Sequence, residues 1–134
     1  MYDYLSERIN PKSQIIWLGD LNVAREDIDV HDPRGLWGSV CFCKEVQDAF
    51  EKVMELGLTD MFRLHHKDQP DHYTFWDYRV PNGFKRNLGW RIDYIIATAA
   101  LAKHCTRCKI DKTPRAAEKS SDHTVLWADF DLPL

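Results

Sequence analysis

Three apolar runs in this chain carry an acidic residue at or beside one end, and that placement limits what it can fold into. Ile15-Ile16-Trp17-Leu18 runs into Gly19-Asp20, Asp93 interrupts the stretch Trp90–Ile96, and Asp122-His123 leads into Val125–Phe130. Short apolar runs bounded by turn formers read as buried strands. An acid between Ile92 and Tyr94 is costly in such a strand unless it is paired or used. Carboxylates at the ends of central strands can converge on one rim of a sheet, so the pattern predicts a sheet with a polar, working edge.

The rest of the chain supplies a modest helical complement. Residues 2–9 read as an amphipathic helix with Tyr4, Leu5 and Ile9 on one face, closed by Pro11 and Ser13. Val46, Ala49, Phe50, Val53 and Leu56 recur at helical spacing, with Gly57 as the cap. Residues 24–43 are loop-rich, and Thr59–Phe62 leads toward the polar loop His65–Asp68. His72–Trp76 and Cys105–Ile110 read as strands, with one helical turn at Ala99–Lys103 and a turn-rich loop at 81–89. No repeat or linker interrupts the pattern, so residues 1–134 form one unit. The expected class is α+β: one mostly antiparallel sheet with two or three helices on one face.

Composition narrows the function. The net charge of −3 gives no global basic field, so any nucleic-acid contact must come from a local patch. Five Trp in 134 residues is a high count, which means large rings filling a core or offering a stacking surface. No run approaches the ~18 apolar residues of a membrane span, and MYDYLSERIN is neither a signal nor a transit peptide. The compartment expected is the cytosol, or the nucleoid in a bacterium. Cys41-x-Cys43 and Cys105-x-x-Cys108 do not make two zinc knuckles, since the first pair is too close and the second lies in a strand; four free thiols are expected.

Three clusters carry the chemistry: Asp20 with Asn22, Asp93, and Asp122 with His123. A hard divalent cation takes a few such oxygens plus waters and leaves room for phosphate. A His beside an Asp offers a donor to a phosphoryl oxygen that gains charge in a transition state. Each cluster alone has an ordinary explanation. Gly-Asp-x-Asn after a strand is a common turn, and Ser-Asp-His a common loop cap. Their joint order is what carries information.

Gly19-Asp20-Leu21-Asn22, the run Tyr73-Thr74-Phe75-Trp76-Asp77-Tyr78-Arg79, Gly89-Trp90-Arg91-Ile92-Asp93-Tyr94 and Ser121-Asp122-His123 resemble four ordered motifs of the exonuclease III / apurinic endonuclease family. The first and last motifs occur across the wider endonuclease/exonuclease/phosphatase superfamily; the two aromatic ones resemble its abasic-site branch. The resemblance implies half of a DNase I-like four-layer α/β sandwich, the C-terminal half. It implies that Asp20 activates the attacking water and Asn22 positions it, that Asp93 orients His123, and that His123 contacts a phosphate oxygen. Asp122 would ligate Mg²⁺, with Asp20, Asn22 and His123 as further ligands and Mn²⁺ as a substitute. Phe75, Trp90 and Ile92 would form the pocket for a flipped abasic sugar, the bland alternative being that they are core. Arg79, Lys85, Arg86 and Asn87 would meet phosphates.

The implied activity is DNA phosphodiester hydrolysis at abasic sites and 3′ ends of double-stranded DNA. The family's first half, with its metal-binding Glu and catalytic Tyr, has no counterpart here. The partner expected is therefore that missing half, or a second copy, across an apolar sheet face left open. Two other readings stay open: a non-catalytic DNA-binding or interaction module, and another phosphodiesterase branch of the superfamily.

Overall fold

The computed structural model describes residues 1–10 and 12–132. The chain runs α1 (Tyr2–Ser6), β1 (Ile16–Asp20), a 3₁₀ turn (Asp27–Asp29), α2 (Pro33–Leu36), α3 (Lys44–Met54), β2 (Leu58–Asp60) and α4 (Met61–His65). It continues through β3 (Asp93–Thr98), α5 (Ala99–Ala102), β4 (Cys105–Asp111), α6 (Thr113–Ala116) and β5 (Val125–Phe130). All three acid-flanked runs contain strands, although β3 begins at Asp93 and leaves Trp90–Ile92 ahead of it. The first helix is shorter than expected, and its expected stop at Pro11 lies outside the described residues. The loop-rich stretch contains α2, which starts at Pro33 with the Asp32 side chain accepting from the Gly35 amide.

The strands form two hydrogen-bonded units rather than one sheet. In the first, β3 is central, with β1 and β2 antiparallel on either side; in the second, β4 and β5 form an antiparallel ribbon. His72–Trp76, expected as a strand, is the broken link between them. The amides of Thr74 and Phe75 both donate to the Trp90 carbonyl at 2.9 Å, the bulge-like sharing of one acceptor by two successive donors. Phe75 alone makes ladder bridges there, to Trp90 on one side and His123 on the other. The segment therefore ties the entrance of β3 to the entrance of β5 without extending into a ladder.

Helices number six among the described residues, more than the two or three expected, but only α3 exceeds five residues. Phe50, Val53 and Met54 of α3 are buried with Leu5, Leu58, Tyr94 and Ile96. Ala49, expected on that face, is exposed at its margin. A second cluster joins Met61, Phe62, Ala97, Leu101, Cys105 and Cys108, and a third joins Ala24, Val30, Phe42 and Ile92.

One expectation from the sequence is corrected here. β1 was expected to be buried throughout, yet its exposure alternates: Ile16 is 41% and Leu18 64% exposed, whereas Trp17 packs inward. A strand's side chains point alternately to opposite faces, so an all-apolar strand with one open face must show half of them.

Candidate active site

β1 and β3 pair in the register that sets Asp20 directly opposite Asp93 at their paired ends. Like charges directly opposite one another destabilise a sheet. Here an imidazole stands between them: His123 Nδ1 is 2.8 Å from Asp93 Oδ2, and its Nε2 is 3.7 Å from Asp20 Oδ2. A carboxylate can only accept, so Asp93 holds the ring proton on Nδ1 and turns Nε2 toward Asp20 and solvent. Gly19, at φ +129°, lets β1 take the backbone path that delivers Asp20, a conformation an L side chain rarely adopts.

Asn22 follows in the left-handed region at φ 53°, which Asn tolerates. Its backbone amide donates to Asp20 Oδ1 at 2.9 Å, and its side-chain amide lies 3.3 Å from Asp20 Oδ2. The Cys41 thiol approaches Asn22 Oδ1 at 3.7 Å. Burial first, and then the charge of Asp20, push that thiol's pKa up, so it is held as a neutral donor.

A cleft of 260 Å³ opens beside this cluster, lined by Asn22, Cys41, Phe75, Arg79, Trp90, Ile92 and His123 among others. Phe75 and Trp90 are ladder neighbours, both half-buried, and the Phe75 ring lies 5.0 Å from the His123 ring. Ile92 touches the cleft but is 4% exposed, packed with Val30 and Phe42 as its floor. Gly89 makes this wall possible. A Cβ there would sit 2.6 Å from both Trp76 Nε1 and Tyr73 Cβ.

The expected phosphate contacts divide. Arg79 reaches the cleft, exposed and paired with Asp77 at 2.7 Å. Asn87 is occupied instead, its Oδ1 accepting from Trp76 Nε1 at 3.2 Å and its amide donating to the Asp71 carbonyl. Arg86 and Lys85 are exposed on that loop, outside the cleft. Asp122, half-buried, accepts the Trp76 amide on its backbone carbonyl. Asp20, Asn22, Asp93 and His123 thus gather at one sheet end, with Asp122 next in the chain. Among the described residues no three His, Cys, Asp or Glu side chains converge as a ready metal cage. The donors present are oxygens of the kind a hard cation takes, but they make up only part of a coordination sphere. The four cysteines are free thiols.

One group went unread in the sequence. Arg91, between the cleft residues Trp90 and Ile92, is fully buried and grips Asp29 at 2.7 and 3.2 Å and Asp60 at 2.8 Å. Arg63 adds a second cation on Asp29 at 2.5 Å. Burial alone would raise the Asp29 carboxyl, but Arg91 and then Arg63 hold it below the usual carboxylate range. An arginine within a basic loop gives no signal that it turns inward; its four-residue constellation spans positions 29 to 91.

An imidazole fixed by one carboxylate and facing another, beside an aromatic-walled cleft at a sheet end, is suited to proton handling and charge stabilisation on a polar substrate. The chain belongs to the endonuclease/exonuclease/phosphatase family, whose model matches residues 2–123. It is 32% identical to exodeoxyribonuclease III of Haemophilus influenzae, over 97% of this chain and 51% of that protein. It is 34% identical to the DNA-(apurinic or apyrimidinic site) endonuclease of Dictyostelium discoideum, over 94% of this chain and 34% of that one. Among solved structures, an AP endonuclease from Archaeoglobus fulgidus superposes with a TM-score of 0.91 at 46% identity, covering 98% of this chain and 51% of the other. A Neisseria 3′ phosphatase bound to a product DNA hairpin also gives 0.91, at 30% identity. The fold is accordingly half of a DNase I-like α/β sandwich. The chain spans between about a third and about half of the length of these relatives.

Proposed function

We propose that this chain supplies one half of the active site of a metal-dependent DNA phosphodiesterase, cleaving at abasic sites and removing nucleotides from 3′ ends. The carrying observation is His123 set between Asp93 and Asp20 at the mouth of the Phe75–Trp90 cleft. In this reading Asp93 keeps His123 oriented, and Nε2 faces the scissile phosphate and stabilises its growing charge. Asp20 takes the proton of the attacking water, and Asn22, braced on Asp20, holds that water or a phosphate oxygen. Phe75 and Trp90 accept a deoxyribose that has no base and exclude a full nucleotide by size, with Arg79 released from Asp77 to meet the backbone. Arg79 is exposed while it grips the half-buried Asp77, so solvent screens the pair that must open.

Asp122, with Asp20, Asn22 and His123, would contribute to a Mg²⁺ site, which Mn²⁺ could also fill. When bound, such an ion neutralises phosphate charge. These donors need completing by waters, phosphate oxygens and a carboxylate from elsewhere. The open face of β1 gives such a contribution a place to dock. Ile16 and Leu18 lie on the same face as Asp20, and alternate positions of a strand share one face. A second layer seated there, from the other half of the fold or from a second copy, would meet the catalytic edge. With DNA as the substrate, the working compartment is the cytosol or the nucleoid. Among the described residues no helix is long and apolar enough to cross a membrane.

The test is nicking of an abasic duplex in the presence of Mg²⁺ by this chain, alone and with a family N-terminal half added. Cleavage only in the mixture, abolished by His123→Ala, is expected. Full cleavage by the monomeric chain alone would show that the site is complete in 134 residues. Tight DNA binding without cleavage in either arm would favour a binding module.

A further inference from the structure

Thr74 has no role in the chemistry, yet it is hydrogen-bonded to the segments that carry Asp93 and His123. It is fully buried in the bulged segment between the two sheets. Its hydroxyl oxygen accepts from the amides of Ile92 and Asp93, each at 3.2 Å. Its own amide donates to the Trp90 carbonyl at 2.9 Å, and its carbonyl accepts from the Thr124 amide at 2.8 Å. The first contacts fix the segment bearing Asp93, and the last fixes the segment bearing His123.

The topology shows why a side chain must do this. β2 pairs with β3 only at Ile96, Ala97 and Thr98 and stops short of Asp93. The amides at the entrance of β3, that of Ile92 buried and that of Asp93 partly so, therefore have no β2 carbonyl to meet, and a buried N–H without a partner is costly. Thr74 Oγ1 supplies the acceptor that the short strand cannot. Because threonine is β-branched, its χ1 is stiff, so the acceptor is held in place rather than merely available.

We infer that Thr74 is the positioning residue of the site, setting the Asp93 carboxylate against His123 Nδ1 by stapling both backbones to one side chain and one carbonyl. The inference rests on the reading of Asp93 and His123 as a working pair. Catalytic geometry is sensitive at this scale: a misplacement of about 1 Å can lower a rate roughly 10²-fold. Thr74 does not touch the reacting atoms; it acts through Asp93.

The readout is the ¹⁵N shifts of the His123 ring, taken at alkaline pH where imidazoles are neutral. They distinguish the Nδ1–H from the Nε2–H tautomer and need no nuclease activity, so failure of the phosphodiesterase reading leaves this test standing. Asp93→Ala serves as the control that reports the unpaired ring. The wild-type chain and Thr74→Ser should both show the Nδ1–H tautomer. Thr74→Val, folded by circular dichroism, should shift to the mixed-tautomer pattern of the control. If the valine variant does not fold, Thr74→Ala takes its place, because water can enter the vacated space and satisfy the two amides; it too should lose the single tautomer. A folded Val or Ala variant with wild-type shifts, or a Ser variant without them, overturns the assignment.

Discussion

His123 meets Asp93 at 2.8 Å through one ring nitrogen and leaves the other toward Asp20. Substituting His123 by Ala in a reconstituted, cleaving complex should lower kcat about 10²–10³-fold, the usual loss for one charge-stabilising contact, with the chain's melting temperature little changed. Single-turnover nicking measures this, and a loss below tenfold would remove His123 from the chemistry. Arg91 offers the opposite kind of prediction. It is the counter-ion of Asp29 and Asp60, all three buried, so Arg91→Met leaves two carboxylates without it. A cost of about 3–5 kcal/mol in urea unfolding is expected. Arg91→Lys should lie between the two, since the charge survives but the fork does not. A neutral Arg91→Met would mean that the pair is not what holds this segment.

The elements around the cleft depend on that network and on one close approach. Asp29 closes the 3₁₀ turn through the Glu26 amide, and Asp60 caps α4 by accepting from Phe62 and Arg63. The folded pKa of Asp29 lies below its unfolded value, so its contribution is full above the unfolded pKa, about 4, and is lost as pH falls through the folded one. Stability should hold from neutrality to about pH 5 and then fall, most steeply below pH 4. Asp29→Asn should be less stable at neutrality and show a shallower acid slope in urea midpoints; an unchanged slope would assign the acid sensitivity to other carboxylates. Gly89 joins the turn-rich loop to the cleft wall. Because its Cβ position is 2.6 Å from Trp76 and Tyr73 atoms, Gly89→Ala should cost about 1–3 kcal/mol by overpacking. Thermal unfolding checks it.

For the whole molecule, the informative surface is the open face of β1. Leu18 is 64% exposed and makes little contribution to the isolated fold, so Leu18→Glu should change stability by less than about 0.5 kcal/mol. If that face seats a second layer, the same change should abolish cleavage by the chain mixed with a family N-terminal half. It should also abolish any self-association seen by sedimentation velocity. Retained complementation would place the docking surface elsewhere.

The sequence by itself determined four of the five strands, β1, β3, β4 and β5, and the acidic residues at the ends of the first two and before the last. Alternation and apolar runs are local signals, and a lone acid such as Asp93 in an apolar strand is visible without knowing its partner. Aromatic motifs around Phe75 and Trp90 likewise marked the cleft wall. Tertiary structure alone decided the rest. That Thr74 ties two entrances together, that Arg91 turns inward between Asp29 and Asp60, and that Asn87 is held by Trp76 all rest on partners 11 to 62 positions apart. So does the split of the sheet, because a short β2 and a bulge at Thr74–Phe75 are set by ladder geometry rather than propensity. Residue type and spacing report which side chains are able to work; only the folded register puts Asp20 opposite Asp93 and leaves room between them for an imidazole.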